Sequence, residues 1–181
     1  MLTHLSKLNA DIALLQETRL DGNEADKLKR NWVGHVFYSP ASHKKNGVII
    51  LVHKRHSINL TSQESDTEGR WVMLKLLIDQ IPITIFNVYG PTGTDNEFWP
   101  QFTKIVLNHM DTHFLLGGDC NQLLDPVLDR CSPVKYIFTR MHKSFCSLVK
   151  QAALVDAWRQ CNPSLREYTF HSPVHHSQSR I

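Results

Sequence analysis

The sequence predicts a layered α/β domain with mixed or antiparallel sheets, and three observations predict it. Short apolar runs recur at 12–15, 47–52, 70–78, 81–89 and 112–119, with the length of buried strands. Between them lie stretches with apolar residues at helical spacing, at 96–109 and 138–152. Only Asp79-Gln80 separates two of the longest strand runs, and a two-residue connection joins antiparallel neighbours. Strands that dominate with helices interspersed form packed layers around one core.

Each element follows from its local pattern. Leu2, Leu5 and Leu8 recur at helical spacing, so residues 2–9 read as the end of a helix. Asn9-Ala10-Asp11 turns the chain into Ile12-Ala13-Leu14-Leu15, a buried strand that delivers Gln16-Glu17-Thr18 at its end. Asp21-Gly22 reads as a turn before a short exposed helix that runs to about residue 31. Val33 to Tyr38 and Gly47 to Val52 are strands, joined by a polar loop that carries Lys44 and Lys45. Residues 57–63 alternate weakly, as an edge strand does. Gly90-Pro91 stops the strand that ends in Asn87-Val88-Tyr89. Residues 123–130 are irregular. Leu154 to Arg159 is a short apolar-then-polar segment, Arg166 to Phe170 resembles a strand, His171 to Ser179 reads as a hairpin tip, and Ser179-Arg180-Ile181 starts the return strand.

Composition bounds the function. The 181 residues suit one domain, 1–181, and the 41% apolar content is enough for a sizeable core. The formal charge of +3 and pI near 8.7 are compatible with nucleic acid without arguing for it. No stretch approaches the roughly 20 apolar residues of a membrane span, and the N-terminus lacks the apolar core of a signal peptide. Cys120, Cys131, Cys146 and Cys161 are too far apart for a C-x-x-C pair. Cys120 and Cys146 read as small core residues, and a reduced compartment is the simpler reading. Neither the dinucleotide-binding nor the P-loop glycine fingerprint occurs.

The chemistry concentrates at strand ends. In His113-Phe114-Leu115-Leu116-Gly117-Gly118-Asp119-Cys120-Asn121 an apolar run reaches two glycines and places a carboxylate and a carboxamide two residues apart. On an extended chain these share a face. Asn87 and Tyr89 share a face for the same reason. Glu17, Tyr89, Asp119 and Asn121 thus form a set of hard oxygen and amide groups that suits Mg²⁺ and phosphate rather than zinc. For any one of them, the bland reading is a polar residue leaving the core. His171, His175 and His176 have a spacing that allows a metal, but a solvated loop facing nucleic acid is the better reading. The basic clusters His53-Lys54-Arg55-His56 and Lys44, Lys45, Arg130, Lys135, Arg140 and Lys143 read as solvated. Trp71 and Trp158 read as core.

Taken in order, Gln16-Glu17-Thr18, Asn87-Val88-Tyr89-Gly90-Pro91 and Gly117-Gly118-Asp119-Cys120-Asn121 resemble the endonuclease/exonuclease/phosphatase superfamily, which includes the apurinic/apyrimidinic endonucleases. Longer stretches resemble the endonuclease domain of LINE-type retrotransposons. These are Glu68-Gly69-Arg70-Trp71-Val72, Gly118 to Asp125, Leu154-Val155-Asp156-Ala157-Trp158-Arg159, and Tyr168-Thr169-Phe170-His171-Ser172-Pro173 through Ser179-Arg180-Ile181. The resemblance spans essentially the whole chain.

The resemblance implies a four-layer α/β sandwich, deoxyribonuclease-like, with two packed mixed or antiparallel sheets flanked by helices. It implies a Mg²⁺-dependent DNA endonuclease, with Mn²⁺ as a substitute, whose 3′-hydroxyl product primes reverse transcription. Glu17 matches the metal-binding glutamate and Tyr89 the tyrosine near the scissile phosphate. Asp119 matches the aspartate that activates water or protonates the leaving group, and Asn121 the asparagine that orients it and binds the phosphate. Thr169, His171, His175 and Arg180 fall in the region that meets DNA. A downstream reverse transcriptase and a nuclear location are implied in the same way. The family's first strand, with its asparagine, precedes the match, and its last strand, with an Asp-His pair, follows it. The expectation is therefore a domain incomplete at both termini, and an inactive chain as it stands. The alternatives are a non-catalytic retroelement remnant that at most binds nucleic acid, and a phosphatase on the same fold.

Overall fold

The computed structural model describes residues 2–32, 34–42, 45–111, 113–132, 135–173 and 176–181. These fall into two compact units, residues 1–89 with 110–119, and residues 90–109 with 120–181.

The first unit is a sandwich of two sheets. Strands β1 (Ile12–Leu15), β2 (Gly34–Ser39) and β3 (Val48–His53) form an antiparallel sheet of order β1-β3-β2. Strands β4 (Ile58–Ser65), β5 (Trp71–Ile78), β6 (Ile81–Tyr89) and β7 (His113–Asp119) form a second sheet in that order. It is mixed, because β6 and β7 run parallel while the other pairs are antiparallel. The period of two explains the layering. Val48, Ile50 and Val52 of β3 pack against Val72, Leu74 and Leu76 of β5 and Ile85 of β6, which is the core between the sheets. The alternate residues Ile49 and Leu51 face the other way, with Ala13, Trp32 and Val36. Helices α1 (Leu2–Lys7) and α2 (Gly22–Asn31) cover that outer face, contributing Leu2, Leu5 and Leu28. Because β3 is covered on both sides, it reads as an unbroken apolar run.

Local chemistry sets the boundaries. Asp21 is the N-cap of α2, not a turn residue. Its carboxylate accepts from Glu24 N at 2.8 Å, and Glu24 returns the bond to Asp21 N, so both orphan amides are satisfied. The β5–β6 turn has positive φ at both central residues, Asp79 (48°) and Gln80 (72°). That is the backbone a tight right-twisted hairpin demands, here adopted without glycine.

The second unit contains α3 (Phe98–Leu107), α4 (Arg140–Gln151), α5 (Ala157–Cys161) and a small sheet of β8 (Arg130–Cys131), β9 (Phe170–Ser172) and β10 (Ser177–Ser179), in the order β8-β10-β9. Trp99 and Phe102 of α3 and Phe145 and Leu148 of α4 are buried, and Trp99 packs on Phe145 with ring centroids 4.8 Å apart. The apolar stripes at 96–109 and 138–152 are thus the facing sides of two packed helices.

Three expectations are corrected here. Residues 166–169 are not a strand: pairing begins at Phe170, and the return strand is 177–179 rather than 179–181. Trp158 is half-buried, because it lies under two guanidiniums rather than in apolar core; Arg159 is 4.9 Å and Arg180 4.8 Å from its ring centre. Arg55 and His56 are not simply solvated. Arg55 donates to Asp11 and to Asn9, and the His56 ring sits between Asp11 and Asp79, where three turns meet.

Candidate active site

Three strands of the first unit end together: β1 leads to Glu17, β6 ends on Tyr89 and β7 ends on Asp119. Tyr89 and Asp119 are direct register partners in the parallel β6–β7 pair. The approach needs Gly118. Its φ is +134°, and a Cβ there would lie 2.0 Å from the Val88 carbonyl oxygen. No other residue satisfies both conditions. Gly117 plays a plainer part, since a Cβ on it would strike Leu14 of β1 at 2.4 Å.

Glu17 is exposed and sits in left-handed backbone, φ 50°. Its carboxylate accepts a hydrogen bond from the Tyr89 hydroxyl and lies 3.6 Å from Arg19. Burial, then the bond to Glu17 and the negative charges of Glu17 and Asp119, push the Tyr89 phenol up to about 12. Tyr89 therefore keeps its proton at neutral pH and acts as a donor. Asp119 is half-buried.

What holds Glu17 in place was not anticipated from the sequence. Thr18 N donates to Gly47 O at 3.0 Å and Arg19 N to Asn46 O at 2.9 Å. That loop is braced in turn: Gly47 N donates to Gly69 O and Asn46 Nδ2 to Glu68 O. Arg70 O accepts from Tyr89 N at 2.6 Å. Asp66 closes the brace by accepting from the backbone amides of Arg70 and Trp71. The Glu68-Gly69-Arg70-Trp71 stretch thus supports both Glu17 and Tyr89 through its backbone. Gly69 is required there, with φ +71° and the Pro40 carbonyl oxygen 2.5 Å from where a Cβ would be. Asn87 is a second unanticipated support. It is fully buried, accepts from Gln16 Nε2 at 2.6 Å and donates to the carbonyls of Leu15 and Ile49, so it ties the two sheets together beside Glu17. The available signal was an amide inside an otherwise apolar strand, on the same face as Tyr89.

The remaining expected residues lie in the second unit. Asn121 is half-buried in left-handed backbone, φ 50°, and its Nδ2 donates to Gly90 O at 2.8 Å. It lines a cleft of about 390 Å³ with Thr92, Tyr136, Phe170, Arg130 and Ile181. Thr169 is exposed, and its hydroxyl accepts from Ile181 N at 3.2 Å. His171 is exposed on β9. His175 lies outside the described residues. Arg180 is held by acids rather than projecting freely: its guanidinium donates to Asp129 and Asp156, and its backbone N donates to Asp129 O. Asp129, 1% exposed, also receives Arg159 and the Asp125 amide. Burial pushes the Asp156 carboxyl up, but Arg180 and the Arg159 amide hold it below the usual carboxylate range.

Among the described residues there is no group of three or more His, Cys, Asp or Glu side chains arranged to hold a metal. The donor set at the first-unit site is hard oxygen, exposed at Glu17 and half-buried at Tyr89 and Asp119. It fits Mg²⁺ in the manner of a cation that keeps its waters and uses one or two carboxylates plus substrate phosphate.

The first unit is a sandwich of two packed sheets, one of them mixed, flanked by helices, and the chain shares its fold with solved structures of an AP endonuclease and a 3′ phosphatase. An AP endonuclease from Archaeoglobus fulgidus superposes with a TM-score of 0.72 at 23% identity, covering 96% of this chain and 72% of that one. The 3′ phosphatase NExo from Neisseria, bound to product DNA hairpin, superposes with a TM-score of 0.72 at 21% identity, covering 99% and 77%. In sequence, the chain is similar to a transposon protein, the Transposon TX1 uncharacterized 149 kDa protein of Xenopus laevis. The two are 27% identical over 186 residues, with 100% of this chain covered. The chain spans 14% of the length of that relative. No family model matches the chain. No helix among the described residues is long and apolar enough to cross a membrane.

Proposed function

We propose that this chain is the DNA endonuclease domain of a LINE-type retroelement, a Mg²⁺-dependent phosphodiesterase that leaves a 3′-hydroxyl. The observation that carries the reading is the convergence of Glu17, Tyr89 and Asp119 at one edge of the first unit, with Tyr89 hydrogen-bonded to Glu17 and in register with Asp119. The sequence similarity to a transposon protein favours DNA over a small phosphoester as substrate.

Glu17 would hold the cation, which would supply charge neutralisation on the phosphate oxygens. Asp119 takes the proton of the attacking water at its carboxylate. Tyr89, protonated to about 12, donates its hydroxyl hydrogen and orients Glu17. Asn121 supplies an amide donor for a phosphate oxygen. Thr169 and His171, exposed on the hairpin, contact the DNA strand, and Arg180 fixes the hairpin's base. In the longer protein a reverse transcriptase extends the 3′-hydroxyl, in the nucleus.

The test is nicking of supercoiled plasmid with Mg²⁺ or EDTA. Nicking, by this chain or by a longer form of it, requires Mg²⁺, and Asp119→Ala in the form that nicks lowers the rate by about 10²- to 10⁴-fold at unchanged circular dichroism. Folded protein that does not nick, from this chain or from a longer form of it, would leave the non-catalytic remnant as the better reading.

A further inference from the structure

From Arg130 to Val155 the chain carries five cations, Arg130, Lys135, Arg140, Lys143 and Lys150, and no acidic residue. The whole chain has a net charge of only +3, so positive charge is concentrated here and the remainder is net negative. The structure lays this charge along one surface. On α4, Arg140, Lys143, Ser147 and Lys150 are exposed at helical spacing, while Met141, His142, Phe145 and Leu148 are buried on the opposite side. The stripe runs about 15 Å along the helix. Lys135, Lys143 and Lys150 have no ion-pair partner among the described residues, and Arg140 meets only the exposed Glu97, at 3.2 Å.

Immediately before α4, large apolar side chains stand in solvent: Ile137 is 76% and Phe138 59% exposed. Their posture is fixed from below. The Phe138 ring rests on Tyr136 and His142, with centroids 5.3 and 5.2 Å away. Tyr136 OH and His142 Nδ1 are 3.1 Å apart, and His142 Nε2 is 3.5 Å from Cys146 Sγ. Burial lowers the His142 imidazole and raises the Cys146 thiol from their ordinary values, so both stay neutral and the chain of contacts is a brace. Thr139 caps the helix through His142 N.

An exposed, pre-positioned aromatic ring just before a helix that carries a row of exposed cations offers the two contacts a single nucleic-acid strand uses: bases stack on the ring and phosphates meet the charges. We infer that Phe138, with Ile137, which also lines the cleft beside Asn121, and the Lys143–Lys150 face of α4 form a binding track for single-stranded DNA that does not include Glu17, Tyr89 or Asp119. The inference rests on the nucleic-acid part of the proposed function and not on its chemistry. A duplex keeps its base faces stacked and has no use for Phe138, so the track favours a locally opened strand.

The test is fluorescence anisotropy of a labelled thymidine oligonucleotide and of a duplex of equal length, over a series of salt concentrations. Phe138→Ala weakens single-strand binding by about 5- to 150-fold, and Phe138→Tyr restores it. Lys143→Gln with Lys150→Gln lowers the log–log salt slope by about 1.4, whereas Lys27→Gln with Arg30→Gln on α2 does not. Thermal melts confirm that each variant is folded. Single-strand binding that is unchanged in both Phe138→Ala and the lysine pair overturns the inference. So does equal affinity for duplex with Phe138→Ala silent. Asp119→Ala separates the two readings: it abolishes nicking and leaves strand binding intact. Strand binding by a chain that never nicks would sink the endonuclease and keep the track.

Discussion

Asn87 shows how much a single buried amide can decide. It lies near the end of an apolar strand and is fully buried, yet its side chain meets Leu15 and Ile49 on the opposite sheet and Gln16 just beyond it. An unpaired amide there would be costly to bury, and a paired one fixes the register of two sheets at one point. Asn87→Ala removes three hydrogen bonds and strands the Gln16 amide next to Glu17. We expect a loss of about 2–4 kcal/mol in urea denaturation, with nicking reduced more than the remaining folded fraction explains. An unchanged denaturation midpoint would mean that the sheets are held by their apolar interface alone.

Turns and short connections are tied by charge. His56, Asp11 and Asp79 come from three separate turns of the first unit. Hydrogen bonds from Arg55 and His56 hold Asp11 down to about 2, His56 and the Ser57 amide hold Asp79 below its usual range, and Asp79 with Asp11 raises the His56 imidazole. The signs follow by linkage. The raised imidazole stabilises the fold at low pH, and that contribution is lost as pH climbs through the raised value. The depressed carboxylates contribute above about 3.8, and lose it as pH falls toward about 2. The three-turn contact is therefore strongest in mildly acidic solution. The urea midpoint of the chain should fall between about pH 6 and pH 9, and His56→Gln should flatten that fall. A wild-type slope that survives in His56→Gln would place the titration elsewhere.

In the second unit the same role falls to Asp129. Its one buried carboxylate gathers Arg159 from α5 and Arg180 from beyond β10. Removing it leaves two guanidiniums without their shared partner, and Asp129→Ala should cost about 3–5 kcal/mol. Protease cutting within the β9–β10 hairpin would reveal the released element; a hairpin as resistant as the parent's would argue that β-pairing alone retains it.

Across the molecule, legibility followed the physics of burial. β3, β5 and β6 were plain because strands covered by core are written as apolar runs, and α3 and α4 because their packed faces repeat at helical spacing; β7, also read from its apolar run as a buried strand, is an edge strand with no buried residue. β8 to β10 were blurred because two- and three-residue strands carry too little pattern, and polar ties rather than apolar faces hold them. At the site, Glu17, Tyr89 and Asp119 stood out as polar groups at strand ends. Asn46, Asp66 and Asn87 did not, because they act on backbone groups distant in sequence, and no local spacing records that. The expected solvated role of Arg130 also missed a ring contact, since its guanidinium lies 5.6 Å from the Tyr136 ring centre.

The parallel neighbours β6 and β7 are separated in sequence by residues 90–112, of which 90–109 belong to the other unit. During synthesis β6 leaves the ribosome first, while β7, with Asp119, is still to be made. At about 5–20 residues per second the delay is one of seconds. For that interval the nascent sheet ends in an unpaired edge at β6, the strand that carries Asn87 and Tyr89. A free apolar edge invites pairing with other chains. Once β7 pairs, the open edge passes from the apolar β6 to β7, a strand that ends in two glycines and a carboxylate.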